Sequence, residues 1–157
     1  MKKITYNFKD RTAVITGGAQ GFGLDIAKRF LDSGANVIIW DMDSEMTDKA
    51  VKDLNNPNLS SNKIDVSNFK EVQECTNEIL KKTNIDILIN NAGITGPTAA
   101  LWEYDIEMWK KVVDINLMGT FNCCRAIVPN MIKKNYGRIV NVASVAGKDG
   151  NANASAY

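Results

Sequence analysis

The sequence predicts an α/β fold, a doubly wound parallel sheet covered by helices on both faces. Three observations predict it. Short, continuously apolar runs alternate with stretches of helical spacing along all 157 residues, the pattern of strands buried on both faces. A glycine-rich turn separates the first strand from the first helix. Right-handed crossovers between parallel strands then leave few topologies, of which the doubly wound one is the natural choice. The expected strand order is 3-2-1-4-5. No repeat, low-complexity segment or linker divides residues 1–157, so a single domain is expected.

Thr12-Ala13-Val14-Ile15-Thr16 is the first strand, bounded by Gly17-Gly18. Gly21 to Ser33 follows as a helix with apolar spacing at Leu24, Ala27, Phe30 and Leu31, and Gly34 stands where a C-cap glycine belongs. Val37-Ile38-Ile39-Trp40 is the second strand. Ser44 caps a helix to Asn55, which ends before Pro57. Ser61 to Asp65 is a weaker third strand, and Ser67 caps a third helix to Lys82. Ile85 to Ile89 is the fourth strand. Asp105 opens a long helix to about Asn135, and Arg138-Ile139-Val140-Asn141-Val142 is the fifth strand.

Composition narrows the chemistry. The net charge of +1 offers no electrostatic case for nucleic acid or an anionic membrane. With no histidine, Ser-His and Cys-His nucleophile pairs and the usual His-bearing zinc sites are excluded, and no metal is expected. Cys75, Cys123 and Cys124 show no CxxC spacing and read as reduced, packed thiols, which suits a cytoplasmic protein. Met1-Lys2-Lys3 leads into polar residues rather than an apolar run, so no signal peptide is expected, and no stretch approaches a membrane span.

The loop Thr16-Gly17-Gly18-Ala19-Gln20-Gly21-Phe22-Gly23 lies between strand and helix. Glycines there allow a tight turn and close approach of the backbone to a pyrophosphate, and the helix N-terminus beyond offers free N–H groups. Asp41 follows the second strand, 18 residues after Gly23. A carboxylate there accepts hydrogen bonds from both adenosine ribose hydroxyls and repels a 2′-phosphate, which argues for NAD over NADP.

The glycine spacing TGxxxGxG, with Asn90-Asn91-Ala92-Gly93 after the fourth strand, resembles the short-chain dehydrogenase/reductase family, and the resemblance runs along the whole chain. It implies a Rossmann-like fold and an NAD-dependent oxidoreductase that moves a hydride between the nicotinamide and an alcohol or ketone. The cofactor set it implies is Gly17, Gln20, Gly21, Phe22, Gly23, Asp41, Asp65, Val66, Asn90, Asn91, Ala92 and Gly93. By the same resemblance, Asn116 anchors a water relay and Ser144 orients the substrate oxygen. Tyr157, thirteen residues after Ser144, is the proton donor and acceptor. A phenol suits that work because the alkoxide left by hydride transfer needs a proton.

The family's lysine four residues after the tyrosine, which favours the phenolate and holds the nicotinamide ribose, falls beyond Tyr157. So do its sixth and seventh strands. The chain is therefore expected to correspond to the family's N-terminal portion, with little turnover on its own and the fifth strand as an exposed edge. Two alternatives stand beside this reading: a catalytically inactive nucleotide-binding module, and an NADPH-dependent 3-oxoacyl-carrier-protein-type reductase. Finally, the helix 105–135 is apolar nearly all round. One side is expected to meet the sheet and the other a second subunit in a homodimer or homotetramer.

Overall fold

The computed structural model describes residues 6–157; Met1-Lys2-Lys3, read above for a signal peptide, lies outside them. Five parallel strands form one sheet in the order β3-β2-β1-β4-β5. They are β1 (Thr12–Thr16), β2 (Asn36–Asp41), β3 (Leu59–Lys63), β4 (Ile87–Asn90) and β5 (Arg138–Asn141). The expected order is the observed one.

Strand alternation divides the core in two. Ala13, Ile15, Val37, Ile39, Ile87 and Ile89 face one side, against Ala27 and Leu31 of α1 (Gly21–Asp32) and the partly buried Val51 and Leu54 of α2 (Ser44–Leu54). Val14, Ile38, Trp40 and Leu88 face the other, against Val72 of α3 (Phe69–Leu80) and Cys123, Ala126, Ile127 and Met131 of α5 (Gly119–Lys133). Each fully buried Val, Leu, Ile or Met among them contributes roughly 1.5–3 kcal/mol by burial. The central strands carry apolar residues on both faces, which is why their sequence reads as an uninterrupted run.

The structure corrects several local expectations. The N-cap of α2 is Asp43, whose Oδ1 accepts from Met46 N at 3.0 Å, rather than Ser44. The N-cap of α3 is Asn68, whose Oδ1 accepts from Lys70 N and Glu71 N, rather than Ser67. Both stretches hold two adjacent cap-forming residues, and spacing alone does not choose between neighbours. β3 begins two residues earlier than expected because Leu59 is its buried anchor, while Ser60 to Lys63 are polar. Gly34 caps α1 as expected, at φ +85°, with its N–H donated to Leu31 O.

The expected single helix 105–135 is three pieces: α4 (Ile106–Val113), a π-helical turn at Asp114–Met118, and α5. Asp105 opens it as expected, its Oδ1 accepting from Met108 N at 2.7 Å. Its inner face packs on the sheet through Ile115, Cys123 and Ile127, and its outer face leaves Ile106, Leu117, Met118 and Phe121 uncovered. β5 is an exposed edge, with Ile139, Val140 and Val142 all open to solvent. A one-turn helix, α6 (Ala146–Asp149), follows it. No helix among the described residues is long and apolar enough to cross a membrane.

Burial pushes the Cys75 thiol up to about 11, with the Glu78 carboxylate adding to the effect, and the Cys123 thiol up to about 12. Both are expected to resist an aromatic disulfide reagent at pH 8 in the folded protein and to react at once in denaturant. Rapid native labelling at Cys123 would contradict this packing. Because both folded values lie above the free value of 9.0, the stability they carry is complete below pH 9 and is lost as pH rises through 11 and 12.

Candidate functional site

The sheet's strand order reverses between β1 and β4, and a cleft of about 540 Å³ opens at the C-terminal ends of the strands there. Open α/β sheets bind ligands at such a switch point. Gly17, Gln20, Gly21, Asp41, Asp65, Val66, Asn91, Ala92 and Gly93 line it. Three expected cofactor residues do not. Phe22 points outward at 81% exposure, Gly23 is packed beneath the loop, and Asn90 is buried in the sheet.

One hydroxyl joins the two loops of the cleft. Thr16 Oγ1 accepts from Asn91 N and Ala92 N, both at 3.0 Å, and donates to Ile89 O at 3.4 Å. The Asn91 amide returns the link, its Nδ2 donating to Thr16 O and Gly17 O at 3.0 Å each. Gly17 stands at φ +61°, and a Cβ on it would lie 2.9 Å from Ala92 Cα. The β1 and β4 loops are thus in backbone contact, and only glycine fits between them. Gly23 closes the same knot: a Cβ there would collide with the Gly17 carbonyl oxygen and stand 2.6 Å from Asn91 Nδ2.

The start of α1 differs from those of α2, α3 and α4. Those three begin with an Asp or Asn side-chain cap and carry an acid in the first turn. α1 has no side-chain cap at Gln20 and no acid in its first turn. Gly21, at φ +53°, has nothing within 4 Å of the position a Cβ would take. An uncapped helix start with open space at its first residue fits an anionic group such as a pyrophosphate.

The far end of the cleft is acidic. Asp41 Oδ2 accepts from Ala19 N at 3.1 Å, and Oδ1 accepts from Asp43 N at 3.1 Å, so the carboxylate ties β2 to the glycine loop. Asp65 Oδ1 accepts from Ser67 N at 2.9 Å and Ser67 Oγ at 2.7 Å. Asp41, Asp43 and Asp65 all line the cleft, and no lysine or arginine does among the described residues.

Asn116 sits in the π-helical turn and clamps the loop after β4. Its Oδ1 accepts from Ile94 N and its Nδ2 donates to Ile94 O, both at 2.9 Å. Ser144 follows β5, and its Oγ accepts from Ala146 N at 3.2 Å. Tyr157 is partly exposed. The segment before it is tied to the β4 loop by Ala99 N donating to Asn153 O at 2.9 Å. No direct hydrogen bond joins Asn116, Ser144 and Tyr157 to one another among the described residues. The cleft also takes Trp40, Met42, Asp43, Ile64, Ile94 and Ile115, which sequence reasoning did not name as site residues. Their signal was available in part, since Trp40, Met42 and Ile64 flank strand ends that the pattern had located.

The short chain dehydrogenase family profile matches residues 11–157. The chain is 40% identical over 151 residues to 2-dehydro-3-deoxy-L-rhamnonate dehydrogenase (NAD(+)) of Sphingomonas sp. strain SKA58, covering 96% of this chain and 60% of that protein. It is 37% identical over 150 residues to 3-oxoacyl-[acyl-carrier-protein] reductase FabG of Chlamydia pneumoniae, covering 94% and 60%. The crystal structure of an NAD+-bound xylitol dehydrogenase superposes with a TM-score of 0.89 at 33% identity, covering 96% of this chain and 59% of that one. The chain thus spans about 60% of the length of the curated relatives it matches. A glycine-knotted cleft at the switch point of a 3-2-1-4-5 sheet and a profile that fits from Arg11 to Tyr157 agree with one another, and the chain belongs to the short-chain dehydrogenase family.

Proposed function

We propose that this chain carries the nucleotide-binding and proton-transferring residues of an NAD-dependent oxidoreductase acting on an alcohol or its ketone. The observation that carries the cofactor choice is the acidic end of the cleft. Asp41, Asp43 and Asp65 line it, and among the described residues no lysine or arginine does. A 2′-phosphate brings roughly 1.5–2 negative charges at neutral pH and finds repulsion here rather than a partner. Gly17, Gly21 and the uncapped start of α1 would hold the pyrophosphate, Asp41 the adenosine ribose, and Asn91 to Gly93 the nicotinamide side.

When bound, NAD(H) supplies or accepts the hydride. The chain's own residues handle the oxygen. Tyr157 gives a proton to the developing alkoxide, or takes one from the alcohol in the reverse direction. Ser144 orients that oxygen by hydrogen bonding. Asn116 holds the β4 loop through Ile94 and so keeps the floor of the reaction centre in register with the cofactor.

For the substrate we propose a small polyhydroxylated molecule. The segment Gly147-Lys148-Asp149-Gly150-Asn151-Ala152-Asn153 between Ser144 and Tyr157 is polar. The relatives named for 2-dehydro-3-deoxy-L-rhamnonate and for xylitol point the same way. Reduction of a carrier-bound thioester with NADPH, and a nucleotide-binding module without catalysis, are the competing readings. The outer face of the 105–135 helix, with Ile106, Leu117 and Phe121 open, fits contact with a second copy in a cytoplasmic homo-oligomer.

A panel assay separates these readings. NAD+ with pentitols and deoxy sugar acids, followed at 340 nm, is expected to give turnover in the full-length protein. Turnover only with NADPH and 3-oxoacyl thioesters would replace this reading by the reductase. No turnover with any pair, despite tight NADH binding, would favour the inactive module.

A further inference from the structure

One wall of the cleft is the turn after β3, and a side chain that does not line the cleft holds it there. Asn122 of α5 is 5% exposed. Its Nδ2 donates to Val66 O at 3.0 Å and to Ser67 O at 3.1 Å. Both N–H groups of the amide are therefore committed to consecutive backbone oxygens of one turn. Asparagine is a poor helix-interior residue, and a buried amide is tolerated only when its bonds are made. One turn earlier, Gly119 lets α5 approach the same place: a Cβ on it would lie 2.6 Å from Val66 Cγ2.

The turn has other supports: the Asp65 carboxylate accepts from Ser67 N and Ser67 Oγ, Asp65 N donates to Glu71 Oε2 of α3 at 3.2 Å, and Asn68 N donates to Asp65 O at 3.0 Å. Those bonds join residues no more than six positions apart, and just before the turn Ile64 N donates to Asp41 O at 2.9 Å. Asn122 and Gly119 add a long-range hold from α5, the helix that packs on the sheet, and reach the turn at Val66 and Ser67. Neither residue lines the cleft, whereas Asp65 and Val66 both do.

We propose that Asn122 is a positioning residue for the adenosine end of the cofactor, setting where Asp65 and Val66 stand relative to Asp41 without touching the ligand. The proposal rests on the reading of the cleft as an NAD(H) site. It predicts a selective defect. A variant lacking the two donors loses affinity for ligands that contain adenosine and keeps its affinity for the nicotinamide half.

The experiment measures dissociation constants of NADH, ADP-ribose and reduced nicotinamide mononucleotide for the full chain and for Asn122→Leu. Melting temperatures are recorded in parallel. The expected result is a roughly tenfold loss for NADH and for ADP-ribose, with the mononucleotide unchanged. Equal losses for all three ligands, or none for any, would overturn the proposal, since a merely structural role lowers stability without distinguishing the halves of the cofactor. If Asn122→Leu does not fold, Gly119→Ala tests the same wall from its other contact, with the same selective loss expected and equal losses again overturning the idea. Failure of the wild-type chain to bind both NADH and ADP-ribose would instead defeat the nucleotide reading itself, and this proposal with it.

Discussion

Gly23→Ala is expected to lower the melting temperature by roughly 5–10 °C, following a cost of about 2–3 kcal/mol, and to abolish measurable NADH binding. The reason is local and severe. The added Cβ meets the Gly17 carbonyl oxygen, a backbone atom that cannot step aside as a flexible side chain can, and crowds Asn91 Nδ2 at 2.6 Å. Relief requires α1 to move away from the β1 loop, which breaks the Asn91 bonds to Thr16 O and Gly17 O. Gly21→Ala provides the contrast. Its Cβ meets nothing within 4 Å, and its cost is the left-handed φ of +53° alone, about 1–2 kcal/mol. That variant should melt a few degrees below the wild type, less than Gly23→Ala does, and bind NADH more weakly, because the new methyl occupies space where the pyrophosphate approaches. Thermal melts and fluorescence titrations of the two variants check both statements. A Gly23→Ala protein that melts like the wild type would contradict the knot described for these loops.

Tyr157→Phe is expected to lower kcat in the active protein by roughly 10²–10⁴-fold, the usual share of a general acid or base. The NADH dissociation constant should stay within about twofold, a few tenths of a kcal/mol. Only the hydroxyl is removed, and Tyr157 does not line the nucleotide cleft. Stopped-flow or steady-state rates beside a binding titration make the comparison. A Phe variant that keeps turnover within tenfold would remove Tyr157 from the proton path.

Much of this molecule was legible in its sequence, and the exceptions have physical causes. The strand order followed from apolar runs and handedness, and Gly17, Gln20 and Gly21 of the glycine loop, Asp41, and Asn91 to Gly93 do meet in one cleft. Where expectations missed by one residue, as at Asp43 and Asn68, two neighbouring side chains could each cap the helix and tertiary context chose. The π-helical turn at Asp114–Met118 carried no sequence signal, since no glycine or proline interrupts it. It goes with a pair of long-range bonds from Asn116 to Ile94. Gly23 and Asn90 match the family's cofactor motif yet lie outside the lining of the cleft. Asn90 Nδ2 donates to Asn141 Oδ1 at 2.8 Å, which ties β4 to the strand leading to Ser144. Spacing identifies which residues belong to a site but not whether each touches the ligand or supports a neighbour that does. Thr16 illustrates the same limit: the expected strand order already puts β1 beside β4, but the link its hydroxyl makes between the two loops is seen only in the side-chain geometry.

The central claim is that the cleft ending at Asp41 holds NAD(H) and rejects the 2′-phosphate. Trp40 lies in the cleft lining, so quenching of its emission, and transfer to the reduced nicotinamide, report binding directly. Titration of the protein with NADH and with NADPH under the same salt and pH is the measurement. The account predicts that NADH binds at least roughly tenfold tighter, a difference of about 1.4 kcal/mol, and that Asp41→Ser narrows the gap. Equal affinity for the two, or tighter binding of NADPH, would contradict it.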